Sequence, residues 1–563
     1  MTTSPQRSRP VDAIADQYVE DAAALDPAMA AYAGIAGHDH RLPDLSPAGF
    51  AERVDLDRRA LAAARAAVPV DERERLARDA FVERLGLKVE MAEAGITSSQ
   101  VSVTAGPLQN VRGILDLMPT EGEEAQRNIA QRLAAVPTAL QGYQETLREA
   151  AQRGRVSARR QLGEVASQIR RWTAQDGGTD LFHQLVGGLD ADGPLADDLS
   201  RGADAASAAF AELGRFIGDE LAPLGREREA VGREEYALCS RYFLGATVDL
   251  EETYAWGWEE LKRLDDEMVL TADRIRPGST VREAVTVLDS DPQRLVQGRE
   301  TFRRWMQELS DRTVAEMAGV HFDIPEPIRR LECCLAPTHD GGIYYTGPSE
   351  DFTRPGRMWW SVPDGIDEFA TWRETTTVFH EGVPGHHLQG AQTMYRKELL
   401  NRWQRSVCWV SGHGEGWALY AERLMDDLGY LADPGDKMGM LDGQSFRAAR
   451  VIVDIGMHLE LEIPKDNPFG FHPGDTWTPD LGLEFMREHC LMEDEYIQYE
   501  VLRYLGWPGQ APSYKVGERI WLECRDQVRA RRGDAFDLRQ FHTEALNLGS
   551  PGLDPFRAAM ARL

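Results

Sequence analysis

The chain is short of cysteine, short of lysine and without a long apolar run, and each shortage excludes something. Six cysteines in 563 residues, none in a CxxC pair, are too few for a disulfide framework and read as reduced thiols. Cys333 and Cys334 are neighbours in a segment expected to be buried. No stretch approaches the ~18 uninterrupted apolar residues of a membrane helix, so no span is expected. The opening MTTSPQRSRPVDAIADQYVE has no apolar run after its basic residues and does not read as a signal peptide. Positive charge is also scarce. A formal net charge of -29 disfavours partners such as nucleic acid or an anionic membrane surface. A reduced, cytoplasmic setting is the expectation, and nothing in the composition speaks to oligomeric state.

What is present is helix. Hydrophobic residues make up 42% and charged residues 28%, enough for a large core, and the length calls for two lobes or one large helical body. Residues 1–10 read as a disordered tail. Residues 11–320 read as an N-terminal helical lobe, with apolar residues at three- and four-residue spacing, and breaks near 95–108 and 174–197. After Val320 the character changes to Pro, Gly and aromatics, with short runs at 342–346 and 357–362 that suit strands. Helical pattern resumes at Glu368. Residues 321–563 are therefore expected to form the catalytic lobe, and the fold class is mostly α with a small central β-sheet beside the active-site helix.

The stretch TTTVFHEGVPGHHLQGAQ, residues 375–392, carries the chemistry. A zinc-protease helix places two histidines four residues apart, with a glutamate between them as base. Here His386 follows His380 by six residues, which on an unbroken helix lands ~120° from the starting face. His387, at seven, returns to the face but ~10.5 Å along the axis, too far to share an ion. Gly382, Pro384 and Gly385 lie between, and Pro384 cannot continue the ladder. Looping out two residues would restore an effective spacing of four. His380 and His386 are thus the expected metal ligands, with His387 as the alternative to His386, and Glu381 as the base.

A third ligand is expected from SGHGEGWALYAERLMDDLG, where Glu415 opens a helix with an apolar stripe at Trp417, Tyr420, Ala421 and Leu424. Glu422, seven residues on, is the reserve. Two histidines and one glutamate leave a coordination position open, which suits a catalytic site with one Zn2+ per chain.

HEGVPGHHLQ followed by EGWALYAER resembles the large bacterial family known as domain of unknown function 885, which looks like a distant relative of the HExxH gluzincins. YYTGPSEDFTRPGRMWW, FRAARVIVDIGMH, PGQAPSYKVGE and FDLRQFHTEALNLGSPGL are similar to further blocks of that family. The resemblance covers nearly the whole second half. It implies a large helical clamshell, gluzincin- or neurolysin-like, with a deep channel and peptidase-like chemistry.

Around the ligands, Tyr514 and His458 are candidate donors to a developing oxyanion, and His413 is a further donor or support. Gln389 would orient a ligand. Arg450 and Lys515 are the cations available for a substrate carboxylate, and Tyr345, with Tyr344, lies on a strand an extended peptide could join. The expected function is a zinc-dependent hydrolase acting on a short peptide or other small amide, as a carboxypeptidase or oligopeptidase. A two-His-one-carboxylate iron enzyme shares the ligand set but gives Glu381 no role. A non-catalytic metal-containing binding protein needs no base at all.

Overall fold

The computed structural model describes residues 9–336, 342–363 and 365–562. Of the expected tail, residues 1–8 lie outside the described residues, and Pro10 already opens the first helix. The chain is mostly helical and divides into two compact units, one formed by Met1–Cys239 with Gln498–Pro508, the other by Ser240–Ile497 with Gly509–Leu563.

The first unit contains α1 (Pro10–Leu25), α2 (Pro47–Ala66), α3 (Glu72–Glu93), α4 (Glu123–Gln152), α5 (Arg159–Trp172) and α6 (Gly193–Arg215). Local chemistry sets their starts. Ser46 caps α2 by accepting from the Gly49 amide, with Pro47 at the first helical position, and Asp71 caps α3 by accepting from the Glu74 amide. Leu133, Val136 and Leu140 of α4, Ile169 of α5, and Phe210 and Leu213 of α6 share one apolar core. Burying each such side chain stabilises by about 1.5–3 kcal/mol.

The second unit is built on α7 (Leu250–Ile275), α8 (Arg299–Met317), α9 (Thr371–Glu381), α10 (His386–Tyr395), α11 (Ser411–Asp427), α12 (Pro434–Leu459) and α13 (Ser513–Arg532). The expected lobe boundary near 320 falls inside this unit. The reason is packing: α7 lies along α12, so helices that read as N-terminal by composition belong with the site-bearing half. From Met438 to His458, α12 is buried almost without interruption. Its small and branched residues (Gly, Ala, Val, Ile) suit a helix enclosed by α7, α9 and α13.

In place of one central sheet there are two small ones. β1 (Leu295–Gln297) pairs antiparallel with β5 (Glu368–Ala370), Val296 opposite Phe369. β2 (Leu331–Leu335) runs parallel to β4 (Gly356–Trp360), and β3 (Ile343–Thr346) pairs antiparallel on the other side of β4. The helix expected from Glu368 starts three residues later, because Phe369 is a strand residue stacked 4.2 Å from Phe302 of α8. β5 then feeds directly into α9. None of the six cysteines is in a disulfide. Among the described residues no helix is long and apolar enough to cross a membrane.

Candidate metal centre

The sequence between the two histidines breaks the helix outright. α9 stops at Glu381 and α10 starts at His386, so the expected two-residue bulge within a continuing helix is instead a four-residue link between two helices. The Gly385 amide donates back to the Phe379 carbonyl at 3.0 Å, and the His387 amide to the Gly382 carbonyl at 3.1 Å. Gly385 lies so close over the chain that a Cβ there would collide with the His380 carbonyl oxygen. The Trp417 indole donates to the Pro384 and Gly385 carbonyls at 2.9 and 3.1 Å. The link is thereby fastened to α11, two residues from Glu415.

This link brings the rings of His380 and His386 together, with centroids 4.8 Å apart and planes perpendicular. Glu415 meets both: its Oε2 lies 3.5 Å from His380 Nε2 and 3.4 Å from His386 Nε2. Donor atoms placed tetrahedrally at 2.0–2.1 Å around one ion are about 3.3–3.4 Å apart, so these separations fit a zinc-sized ion. Glu381 also offers a carboxylate oxygen, within 4.8 Å of the histidine nitrogens. Its Oε2 is buried and has no hydrogen-bond partner among the described residues. Of the two carboxylates facing the histidines, Glu415 sits at ligand-to-ligand distance from both, which leaves Glu381 free for another role.

Glu422, the reserve ligand, stands behind His380 instead. Its Oε1 is 2.7 Å from His380 Nδ1, and its Oε2 accepts from Thr376 Oγ1 at 2.7 Å. A carboxylate on Nδ1 fixes the ring and leaves Nε2 available to a metal, the usual support of a metal-ligating histidine. Burial works against charge on His380, yet Glu415 and Glu422 outweigh it and raise it to about 9. Burial likewise opposes the Glu415 carboxylate, but the two imidazoles hold its pKa well below the usual range. Glu381 is pushed the other way, raised chiefly by burial, against the pull of His386 and His380. The centre favours positive charge at His380 and negative charge at Glu415.

His387 is committed elsewhere. Its Nε2 lies 2.7 Å from the Ile328 carbonyl and its Nδ1 3.0 Å from the Tyr345 hydroxyl. Burial lowers its pKa to about 4, so it is neutral and has no nitrogen to offer an ion. Tyr345, expected as a substrate contact, spends its hydroxyl on this pair.

The full span from residue 27 to residue 560 matches the family described as bacterial protein of unknown function (DUF885). The chain belongs to the DUF885 family. No curated protein matches it by sequence. Among solved structures, a "putative lipoprotein" from Colwellia psychrerythraea matches with a TM-score of 0.83 at 20% identity, covering 98% of each chain. A "putative lipoprotein of unknown function" from Shewanella oneidensis matches with a TM-score of 0.71 at 17% identity, covering 98% of this chain and 100% of the other. At such identities the likeness establishes a shared fold.

The remaining sequence candidates of this DUF885 chain are dispersed. A Cβ on Gly416 would run into Gly517, and one on Gly517 into the Gly412 carbonyl, so α11 and α13 touch backbone to backbone at Glu415. Ser411 and Ser513 hydroxyls meet at 2.8 Å, which sets the first turn of α13, with Tyr514, beside the first turn of α11. The Arg450 guanidinium lies over the rings of Phe446 and Tyr514, at 4.1 and 4.8 Å. Gln389 and His413 pair with each other at 3.0 Å, and His413 is lowered to about 3 by burial. His458 is buried in α12, its Nε2 3.9 Å from Asp454 Oδ1. Lys515 is a correction. Its ammonium is buried between Glu518, Glu260 and Gln444, a neutralised structural cation with no charge left for a substrate. Sequence reasoning missed the part played by Trp417, read only as apolar stripe, and passed over Arg447, one turn from Arg450.

Proposed function

We propose that this protein is a zinc-dependent hydrolase that cleaves short peptides or similar small amides. The observation that carries the reading is the convergence of His380 Nε2, His386 Nε2 and Glu415 Oε2 next to an unpartnered, buried Glu381 carboxylate. A zinc ion held by the first three would polarise the scissile carbonyl and acidify water. Glu381 then acts as general base. It takes a proton on Oε2 as the water oxygen bonds to the carbonyl carbon, and delivers it to the amide nitrogen as the C–N bond breaks. Glu422 keeps His380 oriented throughout, through Nδ1. Tyr514, beside the opening turn of α11, is the hydroxyl we assign to the oxyanion. An iron enzyme with the same ligands would give Glu381 no proton to move.

Metal analysis of the purified protein should find about one zinc per chain, the filling of a single three-residue site. Mass spectrometry of a mixed dipeptide-to-decapeptide library should then reveal cleavage. Glu381→Gln keeps shape and metal but cannot accept the proton, and should lower turnover by about 10²–10⁴-fold. Unchanged turnover would remove Glu381 from the chemistry. Loss of zinc in that variant would make the residue structural.

A further inference from the structure

Arg447 is a half-buried cation on α12, flanking the same stretch of helix as the Glu422 carboxylate and in no ion pair with it. Its Nη1 donates to the Gly443 carbonyl one turn back at 3.2 Å, while its Nε is buried with no hydrogen-bond partner among the described residues. Gly443 marks the spot. A Cβ built there would lie 2.8 Å from Arg447 Nη1 and 3.8 Å from Glu422 Oε2, so the guanidinium and the carboxylate behind His380 flank the same bare stretch of helix.

Three other cations of this unit are held by carboxylates. Lys515 is held by Glu518 and Glu260, Arg423 by Glu267, and Arg373 by Asp289. Among the described residues Arg447 forms no ion pair, although removing a guanidinium from water without one is costly. A planar fork with unused donors fits one ligand chemistry above others, a carboxylate held by two parallel hydrogen bonds.

We propose that Arg447 is the anion anchor of this centre, receiving the free carboxylate of a peptide whose amide lies at Glu381. The binding half of this assignment stands on Arg447 itself. The cleavage half rests on the hydrolase reading, which then becomes a carboxypeptidase-type activity.

The test is calorimetric titration of the zinc-loaded Glu381→Gln protein with N-acetyl-trialanine and with its C-terminal amide, repeated with Arg447→Gln and Arg447→Lys added. The acid should bind roughly 10- to 100-fold more tightly than the amide, the usual weight of a charge-assisted hydrogen-bonded pair. Arg447→Gln should erase that preference and Arg447→Lys should keep part of it, with zinc content unchanged in both. Equal affinity for acid and amide, binding of neither, or a preference that survives Arg447→Gln overturns the proposal. A loss of zinc affinity in Arg447→Gln without loss of the preference would also overturn it, making the residue a charge balance for Glu422. Turnover by the otherwise wild-type enzyme separates the two readings. An acid preference in binding with no cleavage of any peptide would sink the hydrolase and leave the anchor, whereas equal cleavage of acid and amide would do the reverse.

Discussion

Polar side chains are buried in both units, but they are used differently. In the first unit many stitch loops to helices through the backbone, beside one buried side-chain group, Glu500 with Arg503 and Tyr504. Arg132 donates to the Arg41 and His38 carbonyls, Thr146 to the Leu45 carbonyl, and Glu74 accepts from the Val11 and Val70 amides. In the second unit buried polar groups address one another: Glu422 with His380 and Thr376, Gln389 with His413, Tyr420 with His542, Lys515 with Glu518. A backbone group needs a partner wherever the chain folds, so the first pattern is what any large helical body requires. A network of side chains in a core must be satisfied together and is seldom cheaper than apolar packing. Around His380 it takes the form of Glu422 and Thr376, which hold that ring in one orientation.

The largest effect should come from cutting that network at the proposed ion site. Glu415→Ala removes one of three ligand side chains, and the purified variant should contain little or no zinc by mass spectrometry. Glu422→Gln removes only the support of His380. It should bind zinc to full stoichiometry but about 10–100-fold more weakly in a chelator competition, the usual cost of losing such a partner. The reverse ranking would mean that Glu422 is the ligand and Glu415 the support.

A smaller effect should be seen in the first unit, on stability alone. Leu133 is fully buried in the apolar core, and Leu133→Ala should cost about 2–5 kcal/mol in denaturant unfolding through lost contacts and a residual cavity. Zinc affinity should stay at the wild-type value. A matching drop in affinity would show that the two kinds of core are not independent, and the contrast between them would fail.

How much of the fold and the centre is legible in the sequence follows from the range of the forces involved. The helical character of the chain is local, written in spacing and caps such as Ser46 and Asp71. The placing of His386 opposite His380 is legible because Gly382, Pro384 and Gly385 are local breakers. The form of the break is not, since the link is shaped by Trp417, which lies 33 residues from Pro384 along the chain. The unit boundary escapes a sequence reading because α7 resembles the first unit in composition and belongs to the second only through its packing on α12. Lys515 misleads for a related reason. A lone lysine in an acidic chain reads as available charge, and Glu260, which helps to neutralise it, is 255 positions away. Arg447 and Arg450 lie one turn apart on one helix and both face the Phe446 ring, at 6.0 and 4.1 Å, and the Tyr514 ring beneath Arg450 tells them apart.

The sharpest form of the comparison is between two adjacent residues. His386 and His387 are identical in chemistry and differ in the sequence by one step, yet one faces an acidic centre and the other a carbonyl and a phenol. His387→Ala should leave the Ile328 carbonyl without its imidazole donor and Tyr345 with an unpaired hydroxyl. That should cost about 1–3 kcal/mol of stability, the usual penalty for orphaned buried groups. Zinc content and affinity should not change, because neither nitrogen of His387 is directed at the ion's ligands. His386→Ala should do the opposite, losing the metal and the Nε2 contact with Glu415, while its Nδ1 has no hydrogen bond to lose among the described residues. The two variants can be read side by side by metal analysis and urea unfolding. If His387→Ala loses the zinc, the four-residue link does not set the ligand pair, and the shaping role of Gly385 and Trp417 falls with it.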